Sequence, residues 1–165
     1  MKTIIWALGT NGEGSSQLVS QFIQKANYKF ENEFIFVTHK NALLYRKLDI
    51  SIKKSSKARY LPSFLSFSLM HFILKIVGFT FLKKNNLIVL DDFPFFFVKN
   101  QILLLHQPNL VNLNNKSLKW KLRRIAFRIL LSKDCTLVVQ TEHMAEKIKD
   151  FYRHTNLKVL LHSST

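Results

Sequence analysis

The chain has 165 residues, and its 25 lysines and arginines against 10 aspartates and glutamates give a formal charge of +15. Hydrophobic residues make up 47% of it, which excludes simple disorder, since disorder combines high charge with low hydrophobicity. Four glycines and three prolines are too few for a collagen-like or turn-rich all-β chain. The single Cys135 excludes an internal disulfide and a cysteine-based zinc site, which favours a reducing cytoplasm.

The first forty residues have the pattern of a strand, a loop, a helix and a second strand. Thr3–Leu8 and Glu33–Thr38 are short apolar runs, typical of strands buried on both faces. Between them lies a glycine-rich loop, residues 9–14, and then a helix with one apolar stripe that Ser15 or Ser16 can cap. This order is the opening of a parallel sheet with a right-handed crossover.

The rest of the chain continues the alternation of strands and helices. Helices are predicted over 117–132 and Glu142–Tyr152, the second capped by Thr141, whereas residues 39–62 are basic and weakly patterned. Four further apolar runs predict strands: Asn86–Leu90, Gln101–Leu105, Thr136–Gln140 and Lys158–Leu161. The length fits one domain, so the sequence predicts a single α/β domain with a doubly wound parallel sheet.

The apolar segment Ser63–Leu82 has about the length that spans a bilayer. It contains His71 and, near its middle, Lys75, and a central lysine costs roughly 3 kcal/mol on insertion. We therefore expect a helix that lies half in the core and half at a membrane surface or a partner, with a true span as the alternative.

Ligands of such sheets bind at the carboxyl ends of the strands, so the residues that follow each strand are the candidates for chemistry. His106 is the candidate catalytic residue, because an imidazole at a strand tip can act as a base or donate a hydrogen bond; a structural role is the alternative. The candidate substrate-binding residues at the same edge are Gly12, Gly14, Asp91, Asp92, Asn109 and Thr141.

Alternatives remain open for these residues. The glycine loop either admits an anion beside the helix N-terminus or is a turn that requires positive φ, and its spacing matches neither a dinucleotide fingerprint nor a P-loop. Asp91 and Asp92 can bind a metal, act as a base, accept hydrogen bonds from a sugar, or form a turn with Pro94. The six histidines lack metal-ligand spacing, so no metal is expected.

Segment 117–132 predicts a helix with two apolar faces. Leu118, Leu122, Ile125 and Ile129 form one face, which we expect to contact the sheet. The opposite face, bordered by cations, suits an anionic membrane surface, with burial against another domain or subunit as the alternative. The predicted membrane-contact residues are Trp120, Arg123, Arg124, Phe127, Arg128 and Leu131.

Three segments of the chain are similar to a known family. Residues 136–144, Thr-Leu-Val-Val-Gln-Thr-Glu-His-Met, resemble the "VVQT-x-x-M" segment of family 4 retaining glycosyltransferases of bacterial surface polysaccharides. Val89–Pro94 and Leu104–Asn109 are similar to the "GD-x-P" and strand-tip histidine stretch of the same group, and the glycine loop also fits. The resemblance spans nearly the whole chain, but only as the N-terminal domain of that family.

The resemblance implies half of the GT-B fold, which pairs two Rossmann-like domains. Residues 1–165 would be the N-terminal domain, which binds the acceptor and docks on the membrane through basic amphipathic helices. Gly12 and Gly14 would face the donor diphosphate, and His106 would contact the transferred sugar. The C-terminal domain that holds the nucleotide-sugar is expected to be absent, so we expect a truncated protein or one subunit of a split enzyme, with little or no activity alone.

The expected function is sugar transfer from a nucleotide-sugar to a lipid-linked or glycan acceptor, in cell-surface polysaccharide synthesis at the cytoplasmic face of the membrane. The nucleotide-sugar is the donor substrate, and no cofactor is expected. The alternative is a non-enzymatic, membrane-associated α/β subunit that recruits a catalytic chain. Nucleic-acid binding is a weaker interpretation of the charge, because no recognised nucleic-acid motif accompanies it.

Overall fold

A computed structural model describes residues 2–10, 12–29, 34–54, 57–66, 68–77, 82, 85–96, 98–99 and 101–159, without the side chains of 25–29, 51 and 68. Its strands are β1 Thr3–Trp6, β2 Phe34–Thr38, β3 Ala58–Tyr60, β4 Asn86–Val89, β5 Gln101–Leu105, β6 Thr136–Val139 and β7 Leu157–Val159. Its α-helices are α1 Glu13–Lys29, α2 Leu43–Lys47, α3 Ile50–Lys54, α4 Ser68–Val77, α5 Leu118–Leu130 and α6 Glu142–Tyr152.

All seven strands belong to one parallel sheet with the order β3-β2-β1-β4-β5-β6-β7. Ile5 of β1 lies opposite Phe36 of β2 on one side and Ile88 of β4 on the other. The chain runs outward from β1 to β3 and then returns to continue from β4 to β7. This confirms the predicted α/β class with a Rossmann-like sheet, whose topological switch point lies between β1 and β4.

Two hydrophobic cores cover the two faces of the sheet. Alternate residues of β1 point to opposite faces, so Ile5 packs in the core with α1–α3, whereas Trp6 packs in the core with α4–α6. The buried residues of α1 recur at the helical spacing i, i+3, i+4, i+7: Ser16, Val19, Ser20 and Ile23. Both faces of the strands are therefore apolar, as the uninterrupted hydrophobic runs predicted.

Some element boundaries differ from the prediction. Helix α1 begins at Glu13, so the prediction that Ser15 or Ser16 caps it is wrong. Strand β3 and the short helices α2 and α3 lie in the basic segment 39–62, where apolar patterning was too weak to predict them. The last strand starts one residue earlier than predicted, and residues 160–165 lie outside the described residues, as does Glu33.

The apolar segment 63–82 forms a 3₁₀ turn, Ser63–Ser66, followed by the ten-residue helix α4. Among the described helices, none combines the length and hydrophobicity that crossing a bilayer requires. One side of α4 packs on the core through Leu74 and Lys75. The other side exposes Leu69, Met70, Ile73 and Val77. The prediction that one side of this helix packs in the core is confirmed. Contact of its exposed side with a membrane or a partner stays a prediction.

Candidate functional site at the carboxyl edge of the sheet

A cavity of about 1020 Å³ lies at the carboxyl ends of β1, β4 and β5, at the topological switch point. Its floor is formed by the residues that follow these three strands: Gly9, Gly12, Asp91, Asp92, His106 and Gln107. Helix α4 contributes one side wall and α5 the other. Parallel strands bring their carboxyl ends to one edge, and this geometry collects residues that are up to about a hundred positions apart in sequence.

Asp91 is the centre of a buried ionic cluster at one end of the floor. Its Oδ1 accepts a hydrogen bond of 2.8 Å from Nζ of Lys75, and its Oδ2 lies 3.0 Å from Nε2 of His71. The backbone N–H of Gly9 also donates to Oδ2, over 3.4 Å. The Lys75 ammonium lies 4.0 Å from the ring centre of Phe95, a cation–π distance. The cluster thus ties α4 to the ends of β1 and β4.

The charges of this cluster stabilise one another. Burial alone would raise the pKa of Asp91, but Lys75 and His71 beside it hold that pKa well below its usual range. Burial lowers the pKa of Lys75 to about 8, against the opposing effect of Asp91. Both groups are therefore charged at pH 7, and the carboxylate of Asp91 is engaged inside the fold.

Of the glycines in the loop, Gly9 is the one that close packing against His71 and Asp91 requires. A Cβ on Gly9 would lie 2.6 Å from Cε1 of His71 and 3.2 Å from Cβ of Asp91. Gly12 lines the cavity, whereas Gly14 lies in the first turn of α1, and a Cβ there would meet nothing within 4 Å among the described residues. None of the described glycines has positive φ, so the interpretation that this strand-to-helix turn requires positive φ is wrong.

Asp92 joins the end of β4 to the end of β5. Its Oδ1 accepts hydrogen bonds from the backbone N–H groups of His106, at 2.8 Å, and Gln107, at 3.1 Å. Its Oδ2 lies 3.3 Å from Nε2 of the His106 ring. Asp92 has φ of 70°, in the left-handed region that aspartate tolerates better than most residues. One carboxylate therefore fixes both the backbone and the ring of His106.

His106 lines the cavity from this support. Its Nδ1 is buried and makes no hydrogen bond within the described residues, so one nitrogen is held by Asp92 and the other is unengaged. Burial raises the pKa of Asp92, although the His106 imidazole and N–H act in the opposite direction. A carboxylate that orients a histidine in this way selects which ring nitrogen can accept or donate a proton.

Two predicted substrate-binding residues serve local structure instead of lining the cavity. The Asn109 side chain accepts a hydrogen bond from Nδ2 of Asn115, within the loop between β5 and α5. The Thr141 hydroxyl accepts from the N–H of Met144, which confirms the predicted cap of α6. Together with Gly14, they are the predicted substrate-binding residues that the structure does not place on the described cavity wall.

The two faces of α5 are reversed relative to the prediction. Phe127 is fully buried and Trp120 and Leu131 pack against the same core, whereas the face predicted to meet the sheet is exposed. Arg124 is also buried, and its guanidinium donates to the backbone oxygens of Asn112 and Asn115. Predicting Phe127 and Arg124 as membrane contacts was therefore wrong. The choice failed because both stripes are apolar, and periodicity does not show which one faces the core.

The exposed face of α5 is an apolar stripe with cationic borders. Leu118, Leu122, Ile125 and Ile129 lie one helical turn apart and are 56–71% exposed. At 100° per residue, Lys121 and Arg128 fall on one side of the stripe and Lys119 on the other, and all three are exposed. Arg123 lies on the cavity side of α5, with its guanidinium 5.0 Å from the ring centre of Trp120.

Lys75, His71 and Gly9 are site residues that the sequence analysis did not select. The signal for Lys75 was present, because a lysine in the middle of an apolar helix needs a buried carboxylate partner. Strand-tip aspartates were the obvious partners, but two were adjacent, and the sequence did not show which one would take that role. Among the described residues, no three His, Cys, Asp or Glu side chains come together as a possible metal site.

Fold and cavity together define a Rossmann-like α/β domain with a ligand cleft at its switch point. Comparison of the chain with protein-family models, curated proteins and solved structures finds no match in any of the three.

Proposed function

We propose that this chain is the acceptor-side domain of a glycosyltransferase of cell-surface polysaccharide synthesis. The observation that carries the proposal is a cleft at the switch point with His106 on its wall, held by Asp92. Three of the segments on which the family resemblance rests, the glycine loop, Val89–Pro94 and Leu104–Asn109, contribute residues to the described wall of this cleft, whereas residues 136–144 contribute none. The transferred sugar passes from a nucleotide-sugar to a hydroxyl of a lipid-linked or glycan acceptor.

In this proposal the chain binds and orients the acceptor. His106 contacts the reacting sugar, while Asp92 keeps the ring in place. Gly12 on the cleft floor and the N-terminus of α1 beside it face the leaving diphosphate, where charge develops, and backbone N–H groups at a helix start favour an anion. The nucleotide-sugar is held by a second, donor-binding domain that faces this cleft.

The same proposal places the chain at an anionic membrane surface, on the cytoplasmic side. The support is the exposed stripe of α5 with its flanking cations, together with the formal charge of +15. Each cation near an anionic leaflet adds on the order of 1 kcal/mol of attraction. The residues proposed to contact the membrane are Leu118, Leu122, Ile125 and Ile129, with Lys119, Lys121 and Arg128 at their borders.

Sugar transfer tests the catalytic part. Membranes from cells that lack this chain are supplied with the wild type, His106→Ala or His143→Ala, and sugar incorporation from labelled nucleotide-sugars into lipid and polysaccharide is measured. His143 is the matched control, because it is exposed on α6. Wild type and His143→Ala should restore incorporation, and His106→Ala should lower it by about 100-fold or more, as loss of a preorganised contact to the reacting group does.

The second candidate function is a non-enzymatic subunit that recruits a catalytic chain. One observation favours it: the carboxylate of Asp91 is paired with Lys75 inside the fold and does not serve a substrate. Under that function His106→Ala restores incorporation as well as the wild type does. Incorporation that does not depend on this chain at all would overturn both candidates.

Vesicle flotation tests the membrane part. The wild type should float with vesicles that contain phosphatidylglycerol and much less with pure phosphatidylcholine. Lys121→Glu/Arg128→Glu should weaken binding at least tenfold, whereas Lys147→Glu/Lys149→Glu on the exposed side of α6 changes net charge equally and should have a smaller effect. Equal losses in the two double variants would show that net charge alone, and not the α5 stripe, directs binding.

A further inference from the structure

The cleft has a polar floor and an apolar rim. The floor consists of strand-tip groups, including Asp92, His106 and Gln107, together with Ser15 at the start of α1. The rim is formed by side chains of the two helices that flank it: Leu69 and Phe72 from α4, and Leu122 and Ala126 from α5. A ligand that fills this cleft meets hydrogen-bonding groups at one end and hydrocarbon at the other.

The apolar rim continues onto the outer surface of both helices. Leu69 and Leu122 line the cleft and are also 70% and 58% exposed. Each belongs to a longer exposed stripe, made by Met70, Ile73 and Val77 on α4 and by Leu118, Ile125 and Ile129 on α5. Two exposed apolar stripes that meet at the mouth of one cleft give a continuous path from the surface to the polar floor.

Arg123 supplies a positive charge at the rim. It lines the cleft from α5, next to Leu122, and makes no ion pair within the described residues. The Lys75 ammonium also lines the cleft, but Asp91 neutralises it at 2.8 Å. The cation that is open to an anionic ligand therefore lies between the polar floor and the apolar path.

We propose that the cleft binds a lipid phosphate. The hydroxyl-bearing head group lies on the floor at His106, the phosphate contacts Arg123, and the hydrocarbon chain runs out between α4 and α5. This inference rests on the proposed function and deepens it, because it selects the lipid-linked acceptor over a free glycan. A volume of about 1020 Å³ is at the upper end of the roughly 300–1,000 Å³ usual for small-molecule sites, which leaves room for a head group and the start of a chain.

Binding of farnesyl phosphate to the full chain, below its micelle concentration, tests the inference by titration calorimetry. Inorganic phosphate and farnesol are the two reference ligands, since each carries only one of the two chemistries. Farnesyl phosphate should bind at least about tenfold more tightly than either, because only it contacts both the cation and the apolar rim. Equal affinity for inorganic phosphate and farnesyl phosphate would overturn the inference.

Paired substitutions locate the site. Ala126→Trp fills the cleft and should weaken farnesyl phosphate binding about tenfold or more, whereas Lys147→Trp adds the same side chain on the exposed side of α6, away from the cleft, and should change it less than about twofold. Arg123→Gln should weaken binding about tenfold, and Arg128→Gln, on the outer surface of the same helix, should not. If the cleft variants bind like their controls, the lipid phosphate lies elsewhere and the inference is wrong.

The two proposals fail separately. Farnesyl phosphate binding that Ala126→Trp removes, with no effect of His106→Ala on sugar transfer, would keep the lipid site and overturn the catalytic role. Sugar transfer that depends on His106, without farnesyl phosphate binding in the cleft, would keep the glycosyltransferase and identify a free glycan as its acceptor. Vesicle flotation is independent of both, because Lys121 and Arg128, the residues changed in that test, are not among the residues that line the cleft.

Discussion

Asp91 and Asp92 are adjacent residues at the end of β4, yet their surroundings differ in kind. Asp91 is fully enclosed by Lys75, His71 and Gly9, and its interactions with Lys75 and His71 hold its pKa well below the usual range. Asp92 reaches across to β5 and supports His106, and burial raises its pKa. Side chains of consecutive residues at a strand end point in different directions, so one carboxylate stabilises the fold while its neighbour supports the cleft.

The largest expected change in stability comes from substitution of Asp91. Asp91→Asn should lower the free energy of unfolding by about 3–5 kcal/mol, because Lys75 would stay buried without its counterion. Urea-induced unfolding at pH 7 measures it. Asp150→Asn, on the exposed side of α6, is the matched control and should change stability by less than about 0.5 kcal/mol. A loss below about 1 kcal/mol for Asp91→Asn would show that the ionic cluster does not hold α4 to the sheet.

The same cluster predicts the response of stability to acid. The pKa of Asp91 in the folded protein lies below its ordinary value of 3.8, so its stabilising contribution is complete above that value and is lost as the pH falls through the folded pKa. The difference in unfolding free energy between wild type and Asp91→Asn should therefore shrink as the pH falls below about pH 4. A difference that does not change between pH 7 and pH 3 would contradict the assignment.

Alanine substitutions of Gly9 and Gly14 should change stability by an intermediate amount and in opposite directions. Gly9→Ala should destabilise the protein by about 1–3 kcal/mol, because the new methyl group would displace His71 from Asp91. Gly14→Ala should raise stability by up to about 1 kcal/mol, because the position is helical and a methyl group meets no described atom there. Thermal unfolding of both variants measures the contrast, and equal effects would argue against the packing role of Gly9.

Asp92→Asn should have the smallest effect on stability, less than about 1 kcal/mol. Asparagine keeps the oxygen that accepts the two backbone N–H groups and also tolerates the left-handed backbone at this position. It removes the charge beside the His106 ring, so the imidazole ¹⁵N shifts in NMR spectra should change and sugar transfer should fall. Unchanged imidazole shifts and unchanged transfer would show that Asp92 does not position His106.

Most of the fold was predictable from hydrophobic patterning. The predicted strand runs match the observed strands to within a residue or two wherever the structure describes them, because strands buried on both faces are apolar throughout. Strand β3 was missed because it is a three-residue edge strand, Ala58–Tyr60, in a basic segment. Edge strands are short and partly exposed, so they leave little apolar signal.

The site was predictable only in part. The rule that ligands bind at strand ends selected Gly12, Asp91, Asp92 and His106, and all four line the cleft. The same rule selected Asn109 and Thr141, which serve a loop and a helix cap instead. It missed Lys75 and His71, because they come from a helix whose approach to the strand ends depends on packing.

The amino-acid sequence by itself determined the α/β class, the parallel sheet and the edge that carries the polar strand tips, because each of these follows from local hydrophobic periodicity. Tertiary structure alone decided which aspartate pairs with Lys75, which glycine makes room for His71 and which apolar face of α5 is buried. Those choices depend on which side chains meet across the sheet edge, and contacts between distant segments leave no periodic signal in the chain.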